Sequence, residues 1–107
     1  MKIIVLEKDE TRIECFKKKL LGHTVFFIKT APEAVELLEK HEPFDQIYLD
    51  HNSNGRHVAE WIYKHEKKRP YRVVIHSFNV PGAQNILNLL PEASFIPGVW
   101  LLDRMEF

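Results

Sequence analysis

Short apolar runs alternate along the chain with longer stretches whose apolar residues recur at helical spacing. "KIIVL" (2–6) is continuous and of strand length, as expected for a strand buried on both faces. Residues 10–21 then carry Ile13, Phe16 and Leu20 at helical spacing, and Gly22 closes that pattern. "HTVFFIK" (23–29) is β-branched and aromatic and reads as a second strand. "TAPEAVELLEK" opens with Thr30 and Glu33 at capping-box spacing and Pro32 in the first turn, and Ala34, Val35 and Leu38 share one face. "FDQIYLD" (44–50), set off by Pro43, is the third strand. A helix over 55–68 carries Val58, Trp61, Ile62 and His65 on one face and ends at Pro70. "YRVVIHS" (71–77) is the fourth strand, and "GAQNILNLL" (82–90) a short fourth helix stopped by Pro91. "ASFIPGVWLLDRMEF" holds one or two short strands broken by Pro97-Gly98, with no helix after them.

Strands alternating with single helices predict right-handed βαβ crossovers. The expected fold is α/β: an open parallel five-stranded sheet of order 2-1-3-4-5 that lacks the last helix. At 107 residues with no internal repeat or linker, the whole span 1–107 reads as one domain. Sheets of this kind bind ligands beyond the carboxyl ends of their strands, near a topological switch point. In the order 2-1-3-4-5, strands one, three and four are neighbours spaced roughly 4.8 Å apart. Their ends carry Glu7, Lys8, Asp9 and Glu10; Asp50, His51, Asn52, Ser53 and Asn54; and His76, Ser77, Phe78 and Asn79. The fold would bring these distant clusters into one patch.

Composition narrows the function classes. Apolar residues make up 45% and charged residues 28%, an ordinary globular balance. Fifteen basic and fifteen acidic side chains cancel, which argues against extended DNA binding driven by phosphate neutralisation. The longest apolar runs fall far short of the roughly 20 residues of a membrane span, and the N-terminus turns acidic by Glu7 without a signal-peptide core. Cys15 alone cannot form an internal disulfide, so the expected compartment is the cytoplasm, with the thiol packed as a small apolar group.

The alternation, the acids after strand one, the Asp ending "IYLD" and the hydroxyl ending "VVIHS" resemble the receiver domain of response regulators. That likeness implies a receiver-like (flavodoxin-like) fold, with Glu7 as a metal-holding acid, Asp50 as phosphoacceptor and Ser77 as the phosphate-contacting hydroxyl. Receivers also place a lysine at the end of strand five, and "IPGVWLLDRMEF" contains none. "LDHNSNGRHVAEWI" and "VVIHSFNVPGAQNIL" are more similar to cyclic-phosphate-processing receiver domains, over nearly the whole chain. Residues His51, His76, Ser77, Asn79 and Gly82 match that family's pattern one by one. Asn52 stands where the family usually has a second acid, and Glu7, Lys8 and Asp9 where it has a double Asp. The resemblance implies handling of a small cyclic phosphate, either a cyclic nucleotide or an RNA 2′,3′-cyclic end.

The residues suit such chemistry. Opening a cyclic phosphodiester needs a base for water, an acid for the leaving oxygen and charge stabilisation at phosphorus. Asp50, His51, His76 and Ser77 are the expected catalytic set, since two imidazoles titrating near pH ~6.5 can share the proton work. Asn52, Ser77, Asn79 and Gly82 are expected to bind phosphate, Gly82 by letting backbone N–H groups at a helix start approach the anion. Glu7, Asp9 and Asp50 are the candidate ligands for a divalent metal, and added histidines would suit Zn or Mn better than Mg. The alternative is a phosphoacceptor or pseudo-receiver that signals without catalysis. A sheet face left open by the missing helix would suit a homodimer or another partner.

Several features read more simply. Ser53 and Asn54 suit a polar turn with a helix N-cap. His23, His41, His57 and His65 read as structural or solvated, and "KKK" and "KHEKKRP" as solvated helix faces. Trp61 and Trp100 read as core.

Overall fold

The parallel sheet forms where the apolar runs stand, with its five strands in the order 2-1-3-4-5. The computed structural model describes residues 1–77 and 79–96. Strands β1 (Lys2–Leu6), β2 (Thr24–Ile28), β3 (Gln46–Asp50), β4 (Arg72–His76) and β5 (Ser94–Ile96) alternate with α1 (Glu10–Lys19), α2 (Ala31–Lys40), α3 (Gly55–Lys64) and α4 (Val80–Leu89). The receiver-like α/β expectation therefore holds for this span. The expectations of no fifth helix, of a second short strand, of an open sheet face and of a core Trp100 fall on residues 97–107, outside the described residues.

The central strands read as unbroken apolar runs because both of their faces are covered. Ile4, Leu6, Ile47, Leu49, Val73 and Ile75 pack with Ala34 and Leu38 of α2, Val58 and Ile62 of α3 and Ala83 and Ile86 of α4. The alternate residues Ile3, Val5, Tyr48 and Val74 pack with Phe16 and with Leu20 at the end of α1. Strand periodicity of two sends successive side chains to opposite faces, so one run feeds both layers. None of the described helices is long and apolar enough to cross a membrane.

Helix ends follow their capping chemistry. Asp9 caps α1 by accepting from the Arg12 N–H, and Thr30 caps α2 by accepting from the Glu33 N–H. Gly22 follows with φ +92°, a left-handed turn that glycine adopts without strain. Two boundaries differ from the sequence expectation. The helix expected over 55–68 stops at Lys64, and Glu66–Lys68 forms a separate 3-10 turn. His65 breaks it, with φ −130° and its Nδ1 at 2.8 Å from the Trp61 carbonyl oxygen. Its ring stacks on Trp61 at 4.1 Å, so His65 is exposed rather than core-facing and Trp61 is half-buried. The fourth helix begins at Val80, before Gly82, because Asn79 supplies the cap and Pro81 fits the first turn.

Candidate active site

The strand register assembles the site. Leu6, Leu49 and Ile75 are partners across β1, β3 and β4, and Asp50 pairs with His76 one residue on. Glu7 follows directly at the end of β1. Glu7, Asp50 and His76 are all buried, and one ligand-type atom from each lies within 4.8 Å of the others. Three residues separated by up to 69 positions thus meet in one buried cluster.

Glu7 is held by a dense donor set. Its Oε1 accepts from Arg12 Nε at 2.7 Å, and its Oε2 from Arg12 Nη2 at 3.1 Å. The N–H groups of Lys8 and Asp9 also donate to Oε2, at 2.8 and 3.0 Å. Burial alone would push the Glu7 carboxyl up. The hydrogen bonds from Arg12 and Asp9, with the Arg12 charge, outweigh it and hold Glu7 below the usual carboxylate range. Asp50 moves the other way, raised by burial and by the nearby Glu7 charge. The hydroxyl of Ser53 donates to Asp50 Oδ2 at 2.7 Å and the Asn52 N–H to Oδ1 at 3.3 Å, and these bonds offset only part of the rise. Two neighbouring carboxyls are therefore shifted in opposite directions, Glu7 down and Asp50 up.

His76 converges with them from β4, with Nδ1 3.5 Å from Glu7 Oε1 and its ring edge-on to Phe16 at 5.0 Å. Burial lowers its pKa to about 4, overriding the upward pull of Glu7, so the imidazole is neutral at pH 7. Its Nε2 is buried without a hydrogen-bond partner among the described residues. With Glu7 and the Leu6 backbone on the Nδ1 side, the favoured tautomer leaves the Nε2 lone pair free. An orphaned buried acceptor costs roughly 1–3 kcal/mol and calls for an explanation, which a bound water or substrate hydroxyl would supply.

This protonation pattern has a sign that can be tested. The folded chain keeps His76 neutral while the unfolded chain takes up a proton near pH 6.5. Stability from this group is thus present above pH ~6.5, falls as pH drops through about 4, and amounts to on the order of 3 kcal/mol. Asp50 opposes it, because its raised folded pKa adds stability as pH falls toward the unfolded value of 3.8. Urea unfolding from pH 7 to 4 should show a loss with acid that His76→Leu flattens and Asp50→Asn steepens. An unchanged slope in His76→Leu would count against a neutral buried imidazole.

The rim is built by the loops after β3 and β4. The strand ends at Asp50 and residues His51–Ser53 form a 3-10 turn, so Asp50 and His51 are freed from strict alternation. The expected polar turn is present, but Ser53 is buried on Asp50 rather than solvated. Asn54 stands at the start of α3 in the left-handed region, φ 62°, and makes no side-chain cap bond. Asn52 is exposed. Ser77, buried just past β4, accepts from the Asn79 N–H at 3.0 Å. Asn79 Oδ1 accepts from the Gly82 N–H at 2.9 Å, so that amide caps the helix within the chain itself. Asp9 is likewise engaged as the α1 cap, outside the three-residue convergence.

Gly82 also packs closely against His51. A Cβ at this position would lie 2.5 Å from His51 Nε2, so the glycine makes room for the imidazole. His51 is half-buried, and its Nδ1 also lacks a hydrogen-bond partner among the described residues. Gly82→Ala should lose about 1 kcal/mol by forcing the ring aside, despite the helix preference for alanine. In a His51→Ala background the same change should stabilise instead, and a denaturant double-mutant cycle reads the coupling. Additive effects would mean that the ring moves freely.

Arg12 is the residue that motif reading missed, because it lies among helix charges of ordinary appearance. As the third residue of α1, after the Asp9 cap, it points back toward the strand end as helical side chains do. The donor types of Glu7, Asp50 and His76 would suit zinc or manganese. Four hydrogen bonds, however, already engage the Glu7 carboxylate, three on Oε2 and one on Oε1, and two of them come from the Arg12 guanidinium. Arg12 thus already supplies a positive charge to the carboxylate that a divalent ion would need.

No curated protein matches the chain. A family model does, over residues 4–92, the span that runs from within β1 through α4 and holds every residue of the cluster just described. The chain belongs to the family of the Cyclic-phosphate processing Receiver domain.

Proposed function

We propose that the strand-end pocket binds a small cyclic phosphodiester and hydrolyses it by proton transfer between its own side chains. The observation that carries this reading is the neutral His76 with an unpartnered Nε2, close to two carboxyls shifted in opposite directions. Such a pair of environments separates a base from an acid at one pH. His76 Nε2 takes a proton from the attacking water, and Asp50, inclined to hold its proton, serves the leaving oxygen. His51 at the rim is a second proton carrier next to the ester. The charge that develops on phosphorus oxygens faces Arg12, Ser77 and the start of α4. Glu7 takes no proton; it fixes Arg12 and His76.

A phosphoacceptor reading would need an Asp50 oxygen to attack phosphorus. The Ser53 hydroxyl and the Asn52 N–H hold both Asp50 oxygens within the loop, and it is burial with the Glu7 charge that favours the proton-carrying role. The test is incubation with 2′,3′- and 3′,5′-cyclic nucleotides, with and without a chelator, followed by 31P NMR. Ring-opened monoester that forms in chelator supports the proposal. No product from either class, together with acetyl-phosphate labelling that Asp50→Asn abolishes, would overturn it in favour of signalling.

A further inference from the structure

The three converging donors have the geometry of a cation site, and a cation is already there. Arg12 lays Nε and Nη2 along both oxygens of Glu7, the fork-on-carboxylate arrangement that a guanidinium forms best. Its third nitrogen, Nη1, has no hydrogen-bond partner among the described residues, and the side chain is 28% exposed at the pocket rim. Below it, His76 is 2% exposed and its Nε2 is unpartnered. A donor set that could close around a metal thus has its Glu7 member engaged by a guanidinium.

We propose that Arg12 is the resident cation of this pocket, holding the carboxylate that would otherwise ligate a divalent metal. The pocket is metal-free while Arg12 is present and becomes a metal site when Arg12 is removed. The physical reason is twofold. Arg12 forks across both Glu7 oxygens where a bidentate metal would sit, and its charge repels a second cation at close range in a partly buried space. Taking the guanidinium away leaves an ionised carboxylate, a second carboxyl and a free imidazole nitrogen facing one another. This inference concerns the resting pocket and stands whether or not a cyclic phosphate is the ligand.

The experiment is a Mn2+ titration of wild type, Arg12→Gln and Arg12→Gln/Glu7→Gln, read by calorimetry, by paramagnetic broadening of ring resonances and by thermal unfolding. Wild type should bind no Mn2+ in the pocket, leaving the His76 ring signals sharp and the melting temperature unchanged. Arg12→Gln should bind one Mn2+ about 100-fold or more tighter, as Coulomb repulsion at this range implies, and should melt higher with metal. The double variant should lose that gain. One Mn2+ bound to wild type and lost in Glu7→Gln would overturn the proposal, as would a folded Arg12→Gln that binds no better than wild type. Should Arg12→Gln fail to fold, the wild-type titration decides: broadening at His76 overturns the proposal and sharp signals uphold it.

Discussion

His76→Gln is expected to slow cyclic-phosphate hydrolysis by about 100- to 10,000-fold, the range for loss of a positioned proton acceptor. Glutamine keeps a polar group of similar reach but cannot take up a proton from water. The loss should therefore fall on kcat, with KM changed little, because the proton moves only in the transition state. His51→Gln should cost less, since that ring is half-buried at the rim rather than fixed between Glu7 and Phe16. The pH profile should change too. Wild-type rate should fall on the acid side as His76 is protonated near its depressed pKa of about 4, and on the alkaline side as Asp50 loses its proton. Steady-state kinetics of the two variants checks this. A loss confined to KM would assign His76 to binding alone.

Arg12→Gln is expected to cost about 3 kcal/mol of stability, and Glu7→Gln distinctly less. The asymmetry follows from where each charge can go. Glu7 is fully enclosed, so loss of the guanidinium leaves a buried carboxylate held only by two backbone N–H groups. Arg12 reaches the rim, and without Glu7 it can turn to water. A 107-residue domain with a typical margin of roughly 5–15 kcal/mol tolerates either change. The pH response separates the variants further. With Arg12 gone, Glu7 loses the partner that lowers its pKa, and the stability that this lowered pKa gives above the unfolded value of 4.5 should shrink. Urea midpoints at neutral and acid pH measure both effects. Equal costs for the two variants would mean that the pair is solvated.

How far the sequence reveals this site depends on what kind of signal each residue carries. Strand order and the meeting of Glu7, Asp50 and His76 were legible, because unbroken apolar runs mark central strands and a parallel sheet gathers their carboxyl ends. The helix start at Asn79 was legible in principle. Asn79 followed by Pro81 repeats the logic of Thr30 followed by Pro32, but the apolar periodicity of α4 begins later and drew the boundary to Gly82. The role of Gly82 was not legible, since only the folded arrangement shows a ring from another loop against it. Ser53 looked like a turn residue and is one, yet its hydroxyl also serves Asp50. Arg12 carried no signal of its own, because a charged residue early in a helix is usually solvated. Its pairing with Glu7 depends on the angle at which α1 leaves β1.

The most direct test of the pocket's role is 15N NMR of the imidazole rings, titrated with a 2′,3′-cyclic nucleotide in chelator. Binding in this pocket requires that the ring nitrogens of His51 and His76 shift together and saturate at one equivalent, with the His23, His41, His57 and His65 rings unchanged. Shifts that spare His51 and His76, or that centre on His65 beside Lys64 and Lys67, would contradict it.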